Sequence, residues 1–181
     1  MLDYKDIILM ENAAIIHQKN KIIDELVIFF AELLERYKKV SFIAAEEYSS
    51  VFNRNGKVSK GEKLEGLPWV TLDYPRCFDE TNGFFAIRTI FWWGNFIKIE
   101  LLTSGKYKEI VTDKINSCGN FEFGYTANPW THERGRLNPD THLPYCKIVE
   151  YYSLKEIFGI KERLISDYQF FLTLVKQKSE V

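Results

Sequence analysis

The sequence predicts an α+β fold: an antiparallel sheet of about five strands, with the N- and C-terminal helices packed on one face. Three observations predict it. Helical periodicity marks both ends of the chain, strand patterns fill the middle, and the strands follow one another through short connections. Strands do not alternate with helices, so a doubly wound parallel sheet is not expected. At 181 residues the chain is predicted to be one domain, 1–181.

The N-terminal part, 1–52, is predicted to be helical. Residues 15–38 have apolar side chains every three or four positions, and charged side chains lie between them. We expect this helix to begin near Tyr4, with a break around Asn12. A weaker helix is predicted over 42–52.

Two further helices follow from capping signals. Ser104 is a helix cap, and the helix it opens is predicted to run to about Ser117. Ser153 and Glu156 have the spacing of a capping box, which opens a last helix over 153–178. Gly159 weakens or bends this helix, because glycine costs about 1 kcal/mol relative to alanine in a helix.

The strand-rich part is predicted to span 67–152. Residues 53–66 are polar and rich in glycine, which indicates a solvated loop before it. Strand patterns are found at 67–73, which ends at Tyr74-Pro75, at 84–102, at 121–125 and at 145–152.

Residues 84–102 are the strongest strand signal and predict a β-hairpin with a two-residue turn at Gly94-Asn95. This register places Trp93 opposite Phe96 and Arg88 opposite Leu101. Arg88 would then lie on the drier face of the sheet. Trp93 and Phe96 would lie together on the other face, where they form an aromatic patch unless loops cover it. A slip of one residue would turn Arg88 outward.

Composition limits the classes of function. The chain has 24 basic and 25 acidic residues, so its net charge of −1 gives no reason to expect nucleic-acid binding. No stretch has the roughly 18 apolar residues that span a bilayer, and no membrane partner is predicted. The three cysteines are far apart in sequence, which indicates reduced thiols and a cytoplasmic location. The 28 aromatic residues (14 Phe, 10 Tyr and 4 Trp) suit either a core or a binding surface.

No catalytic residue can be assigned from a motif. The P-loop, the Rossmann glycine motif, HExxH and GxSxG are absent from the sequence, and no cofactor is predicted. These absences exclude only the forms of each activity that carry the motif.

The irregular segment 128–144 is the first candidate site. Aperiodic connections of this length are uncommon in compact domains and are often functional. Its chemistry-bearing residues are Trp130, His132, Glu133, Arg134, Arg136, Asp140 and His142. Three interpretations stay open: a surface loop whose charges pair with one another, a ligand-binding or catalytic loop, and a metal site. The spacing of His132, His142 and Cys146 matches no zinc template, so no metal site is predicted.

Arg88 is the second candidate, because an arginine on an apolar strand face needs a partner. Asp73, Asp79 and Glu80 are near enough in sequence to pair with it. The other interpretation is that Arg88 binds an anion at the floor of a pocket.

Two hypotheses follow. The first is a binding or protein-interaction domain that self-associates through the aromatic sheet face with Trp93 and Phe96, near Trp130. The alternative is a small-anion-binding protein or hydrolase-like enzyme. Its pocket would be formed by the 128–146 loop and lined by Arg88, His132, Glu133, Arg134, Arg136 and His142.

Overall fold

A six-stranded antiparallel sheet organises the chain, as the computed structural model shows. The structure describes residues 2–44, 56–79, 83–114, 119, 121–132 and 134–175. In chain order the elements are α1 (Tyr4–Glu11), α2 (Ala13–Ala44), β1 (Lys57–Leu64), β2 (Leu67–Asp79), β3 (Gly83–Trp92), β4 (Phe96–Ser104), α3 (Gly105–Asp113), β5 (Glu122–Thr126), β6 (Tyr145–Tyr152) and α4 (Lys161–Val175). The strand order is β1-β2-β3-β4-β6-β5.

Helices α2, α3 and α4 pack on one face of this sheet, which confirms the predicted α+β class. Alternate residues of β3, among them Phe85, Ile87 and Phe91, join α2 and α4 in one core. Phe30 and Phe171 are fully buried in that core, because the apolar stripe of each helix faces the apolar side of the sheet. The opposite face of the sheet carries no helix among the described residues.

The first helical region follows the prediction. Asp3 and Asp6 form a capping box at the start of α1, and the helix ends at Asn12, where the break was expected. Helix α2 then runs without interruption to Ala44. The predicted helix over 42–52 lies mostly outside the described residues, as does the predicted end of α3 at Ser117.

The prediction of a loop over 53–66 is wrong, because Lys57–Leu64 forms the edge strand β1. Its pattern lacks apolar alternation because only one neighbour pairs with it and both faces carry polar side chains, as is common at sheet edges. The turn to β2 lies at Glu65 and Gly66, which both have positive φ. Strand β2 also continues past Tyr74-Pro75 to Asp79, through an irregularity in the register.

The predicted hairpin register is wrong by one residue. Trp92 lies opposite Phe96, and Arg88 lies opposite Glu100. The connection has three residues, with Gly94 at positive φ, and the amide of Trp93 donates to the carbonyl of Pro68. The slip moves Arg88 to the face opposite the helices, together with the charged side chains of β4.

The last helix is shorter than predicted. Ser153 and Glu156 do form the capping box, but they cap a single 3-10 turn, Leu154–Glu156. Helix α4 begins only at Lys161, after Gly159, and ends at Val175 among the described residues. No helix in the described part of the chain is long and apolar enough to cross a bilayer.

Candidate functional site

A buried ion pair lies at the centre of the helix-free face. Arg88 of β3 lies directly opposite Asp73 of β2, and its Nε and Nη2 donate to the two carboxylate oxygens at 2.6 and 3.0 Å. The two side chains are only 14% and 8% exposed. Burial opposes the charge of Arg88, but the hydrogen bonds and the charge of Asp73 raise the pKa of the guanidinium. The structure therefore pairs Arg88 with Asp73, one of the three partners that the sequence left open.

A second buried cluster continues this row of charges across the sheet. Glu100 of β4 lies opposite Arg88, and its Oε2 accepts from Lys98 Nζ at 2.7 Å and lies 3.5 Å from Lys147 Nζ. All three side chains are at most 1% exposed. Burial would raise the pKa of Glu100, but the two ammonium groups together with His132 lower it to about 2. The second oxygen, Oε1, has no hydrogen-bond partner among the described residues.

The segment between β5 and β6 is held in a defined conformation. Asn138 pairs with Tyr125 of β5 through two backbone hydrogen bonds of 2.7 and 3.0 Å. This return is close because Gly124 has no side chain: a Cβ there would lie 2.7 Å from Cβ of Leu137. At the start of the loop, the side-chain oxygen of Asn128 accepts from the amide of Trp130, a turn typical of asparagine.

This loop covers the buried charges. The carbonyl of Thr131 accepts from Lys147 Nζ at 2.7 Å, so the loop adds an acceptor to the ammonium group that also pairs with Glu100. The ring of Trp130 lies over the guanidinium of Arg88, with 4.6 Å from Cζ to the ring centroid. His132 is the next residue of this loop, and the negative charge of Glu100 acts to raise the pKa of its imidazole.

His132 is a neutral imidazole at ordinary pH. Burial, and then the charges of Lys98, Lys147 and Arg88, lower its pKa to about 4, against the opposing effect of Glu100. Its Nδ1 is buried and has no hydrogen-bond partner in the described part of the chain. Burial on this face also lowers the pKa of Lys147, although the charge of Glu100 partly offsets this effect.

An open cleft of about 350 Å³ lies between this loop and strands β1 to β3. Its cationic side chains come from three strands: Lys57, Lys63, Arg76 and Arg88. The other lining residues are Ser59, Leu64, Trp69, Thr71, Asp73, Ile90 and His132. Asp73 is the only carboxylate among them, and Arg88 already binds it. Three of the four cations therefore lie at one end of the cleft, and Lys63 lies at the other end beside Leu64 and Trp69.

Three of the predicted site residues come together here. Arg88 and His132 line the cleft, and Trp130 stacks on Arg88 at its rim, 49% exposed. Arg134 lies beside this group, where its Nε donates to Glu122 at 3.1 Å and its guanidinium lies over the ring of Tyr151.

The other predicted residues do not join the cleft. Trp93 lies on the helix side and packs edge-on against Phe91, whereas Phe96 lies on the open side against Trp92 and Tyr151. The predicted aromatic patch of Trp93 and Phe96 is therefore not formed, because the slip in register separates them.

Two more of the predicted site residues are exposed, and one lies outside the residues that the structure describes. His142 is exposed, and its amide donates to Asp140. Arg136 is also exposed. Glu133 lies outside the described residues.

Sequence reasoning missed the cations of β1 and the buried lysines. Lys57 and Lys63 were placed in a loop, because β1 was not recognised as a strand. The predicted hairpin register placed Lys98 and Glu100 on the correct face of β4, but it placed Arg88 on the opposite face of the sheet. The signal that could have corrected this is charge pairing, since opposite charges favour directly opposed positions on neighbouring strands.

The arrangement can neutralise and orient an anion. Arginine and lysine side chains donate to phosphate and carboxylate oxygens, and the neutral His132 can add a donor or an acceptor. Among the described residues, no group of three or more His, Cys, Asp or Glu is placed to hold a metal ion.

Comparisons with models of protein families, with curated proteins and with solved structures find no significant match.

Proposed function

We propose that this protein binds a small organic anion in the cleft on the helix-free face of its sheet. The observation that carries the proposal is that four cations line one cavity whose single carboxylate, Asp73, is bound to Arg88. A volume of about 350 Å³ is at the lower end of the roughly 300–1,000 Å³ typical of small-molecule sites.

The buried charges on the same face of the sheet support the same sign of ligand. Arg88, Lys98 and Lys147 carry three positive charges, and Asp73 and Glu100 carry two negative charges, so the row has a net charge of +1 at neutral pH with each group in its usual ionised form. The neutral His132 adds nothing to this balance. A cleft whose surroundings carry an excess of one charge concentrates ligands of the opposite charge.

Lys57 and Lys63 are the cations to test. Neither side chain makes a hydrogen bond or ion pair with another described residue, whereas the side chain of Lys60, on the same strand, turns to the helix side and binds Asp24 at 2.8 Å. Lys57→Ala and Lys63→Ala therefore remove charge from the cleft, and Lys60→Ala is the matched control that removes the same charge from the other face.

The experiment is isothermal titration calorimetry with inorganic phosphate and phenyl phosphate at low and moderate salt. We expect binding to the wild-type protein that weakens with salt, and a loss of about fivefold in affinity for each cleft lysine, corresponding to about 1 kcal/mol. Lys60→Ala should bind as the wild type does. Absence of binding at millimolar concentrations, or an equal loss in Lys60→Ala, would refute the proposal.

A second candidate function is self-association through the N-terminal helices. Helix α1 buries no residue, and eight of the twelve exposed large apolar side chains in the described part of the chain lie within residues 2–16. Exposed apolar surface of this kind marks contact sites. We propose a second copy of this segment as the partner, because each copy would cover the exposed apolar side chains of the other.

Sedimentation velocity over a range of concentrations tests this candidate. We expect a dimer that Ile8→Glu converts to a monomer. Ile28→Glu is the control, because Ile28 is 60% exposed on α2 outside the segment. A wild-type protein that stays monomeric at about 100 μM, or equal dissociation by both substitutions, counts against it. We also keep a cytoplasmic location as part of the proposal, based on the wide spacing of the three cysteines in the sequence. Thiol titration in denaturant after purification without reductant should give the same number of thiols as after reduction.

A further inference from the structure

The cleft has a polar end and a flat apolar end, separated along the strands. At one end, Lys57, Asp73 and Arg88 occupy directly opposed positions on β1, β2 and β3. At the other end, Gly61, Trp69 and Trp92 are opposed in the same way. Asp73 lies four positions after Trp69 on β2, a distance of roughly 13 Å at the rise of a β-strand.

Small side chains leave the space between these two ends open. The intervening row consists of Ser59, Thr71 and Ile90, in directly opposed positions, and all three line the cavity. The two hydroxyl-bearing residues of this row are shorter than the lysine, arginine and tryptophan side chains that flank it. The cavity is thus an elongated trough along β1 and β2.

Trp69 supplies a flat surface at the far end of the trough. Its ring lies on the backbone of Gly61, where an added Cβ would come within 2.6 Å of ring atoms Cε2 and Cζ2. One side of the ring is therefore supported by the strand, and the ring also lines the cavity together with Leu64. Lys63 comes from the same end and offers a donor to acceptor atoms on a bound ring.

We propose that the ligand is a phosphate or carboxylate joined through a polar spacer to a planar ring. The acidic group lies at Lys57 and Arg88, the spacer crosses Ser59 and Thr71, and the ring stacks on Trp69. This inference rests on the proposed anion-binding function and names its ligand class. Nucleotides have this chemistry, whereas an aryl phosphate carries its ring directly on the phosphate and lacks the spacer.

The experiment compares ligands that differ only in the ring. Isothermal titration calorimetry is performed with AMP against ribose 5-phosphate, and with 1-naphthyl phosphate against inorganic phosphate. We expect AMP to bind about tenfold more tightly than ribose 5-phosphate, since aromatic stacking of a base contributes on this scale. 1-Naphthyl phosphate has no spacer and should bind no more tightly than inorganic phosphate. An advantage for naphthyl phosphate, alone or together with AMP, would overturn the spacer.

Two substitutions test the position of the ring. Trp69→Leu keeps an apolar side chain but removes the flat surface, and Ser59→Leu fills the trough. Both should remove the advantage of the ring and leave the affinity for inorganic phosphate within about twofold of wild type. Ser59→Ala leaves the trough open and is the matched control, which should keep the advantage.

The outcomes separate this inference from the function on which it rests. If inorganic phosphate and ribose 5-phosphate bind but the ring adds nothing, the inference is refuted and anion binding stands. The inference is equally refuted if Trp69→Leu and Ser59→Leu retain the full advantage of the ring. If none of the four compounds binds, both proposals are refuted.

Discussion

Replacing Glu100 by glutamine tests whether the buried charges are as tightly balanced as the structure indicates. Glutamine has nearly the same shape, so Glu100→Gln removes the negative charge without opening a cavity. It leaves Lys98 and Lys147, each 1% exposed, without the carboxylate that they share. A buried ion pair that loses one partner typically destabilises a protein by about 3–5 kcal/mol, because the remaining charge stays desolvated.

The pKa of Glu100 gives a second value for this magnitude. It falls from an ordinary value of 4.5 to about 2, and at about 1.4 kcal/mol per unit this corresponds to about 3 kcal/mol. In the wild type this contribution is present above pH 4.5 and is lost as the pH falls toward 2. For a domain of this size, 3 kcal/mol lowers the melting temperature by about 6–12 °C.

The substitution should also change how stability depends on alkaline pH. Burial already lowers the pKa of Lys147, and Glu100 is the group that opposes this effect. Without it, the native pKa falls further below the unfolded value of about 10.4. Between these two values the unfolded chain binds more protons than the native chain, so the free energy of unfolding of Glu100→Gln should rise with pH.

Urea denaturation followed by tryptophan fluorescence, at pH values from 6 to 10, measures both effects. Glu122→Gln is the control, since Glu122 is on the same face but pairs with Arg134, whose side chain is 69% exposed, and an exposed pair contributes about 0–1 kcal/mol. A loss below about 1 kcal/mol at pH 7 for Glu100→Gln, or a flat response between pH 7 and 10, would refute the reasoning.

Three further predictions concern the same face. Arg88→Met should lower the free energy of unfolding by about 3 kcal/mol because it leaves Asp73 buried and unpaired, whereas Arg134→Met, at the exposed pair, should cost less than about 1 kcal/mol; urea denaturation compares them. His132 has a native pKa of about 4 and an unfolded pKa of about 6.5, so it binds its proton more readily in the unfolded chain. The free energy of unfolding of the wild type should therefore fall by up to about 3 kcal/mol as the pH drops from 6.5 to 4. His132→Asn should flatten that slope in the same assay. Gly124→Ala should cost about 1–3 kcal/mol, because its Cβ would meet Leu137 at 2.7 Å, whereas Gly159→Ala, with nothing within 4 Å, should change the melting temperature by no more than a few degrees.

The helices and the class of fold could be predicted because burial imposes a period on the sequence. In α2 the buried apolar side chains recur every three or four residues from Ile23 to Tyr37, and Asn12 caps the end of α1. Strand β1 could not be predicted in this way. It is an edge strand with Lys57, Lys60 and Lys63 along its length, so no apolar alternation distinguishes it from a loop.

The site was only partly predictable, because it depends on register and on contacts distant in sequence. Alternation correctly divided the side chains of β3 and of β4 between two faces. The prediction assumed a turn of two residues where the protein has three, so it joined the wrong faces of the two strands. This single error separated Arg88 from Glu100 in the prediction, although they lie directly opposite each other. The contacts of Trp130 and His132 depend on how the loop returns to Tyr125, and no local pattern in the sequence encodes that return.

The hydrogen bond from Lys147 to the carbonyl of Thr131 limits where residues can be inserted into this loop. Surface connections usually tolerate added residues, but here the first part of the loop is an obligatory cap on ionised groups, and lengthening it at Thr131 would admit water to them. A short Gly-Ser insertion after Gly135, which is exposed and has positive φ with open space around it, should leave the melting temperature almost unchanged. The same insertion after Thr131 should lower it strongly, so one connection contains both a permissive and a forbidden position for a tag.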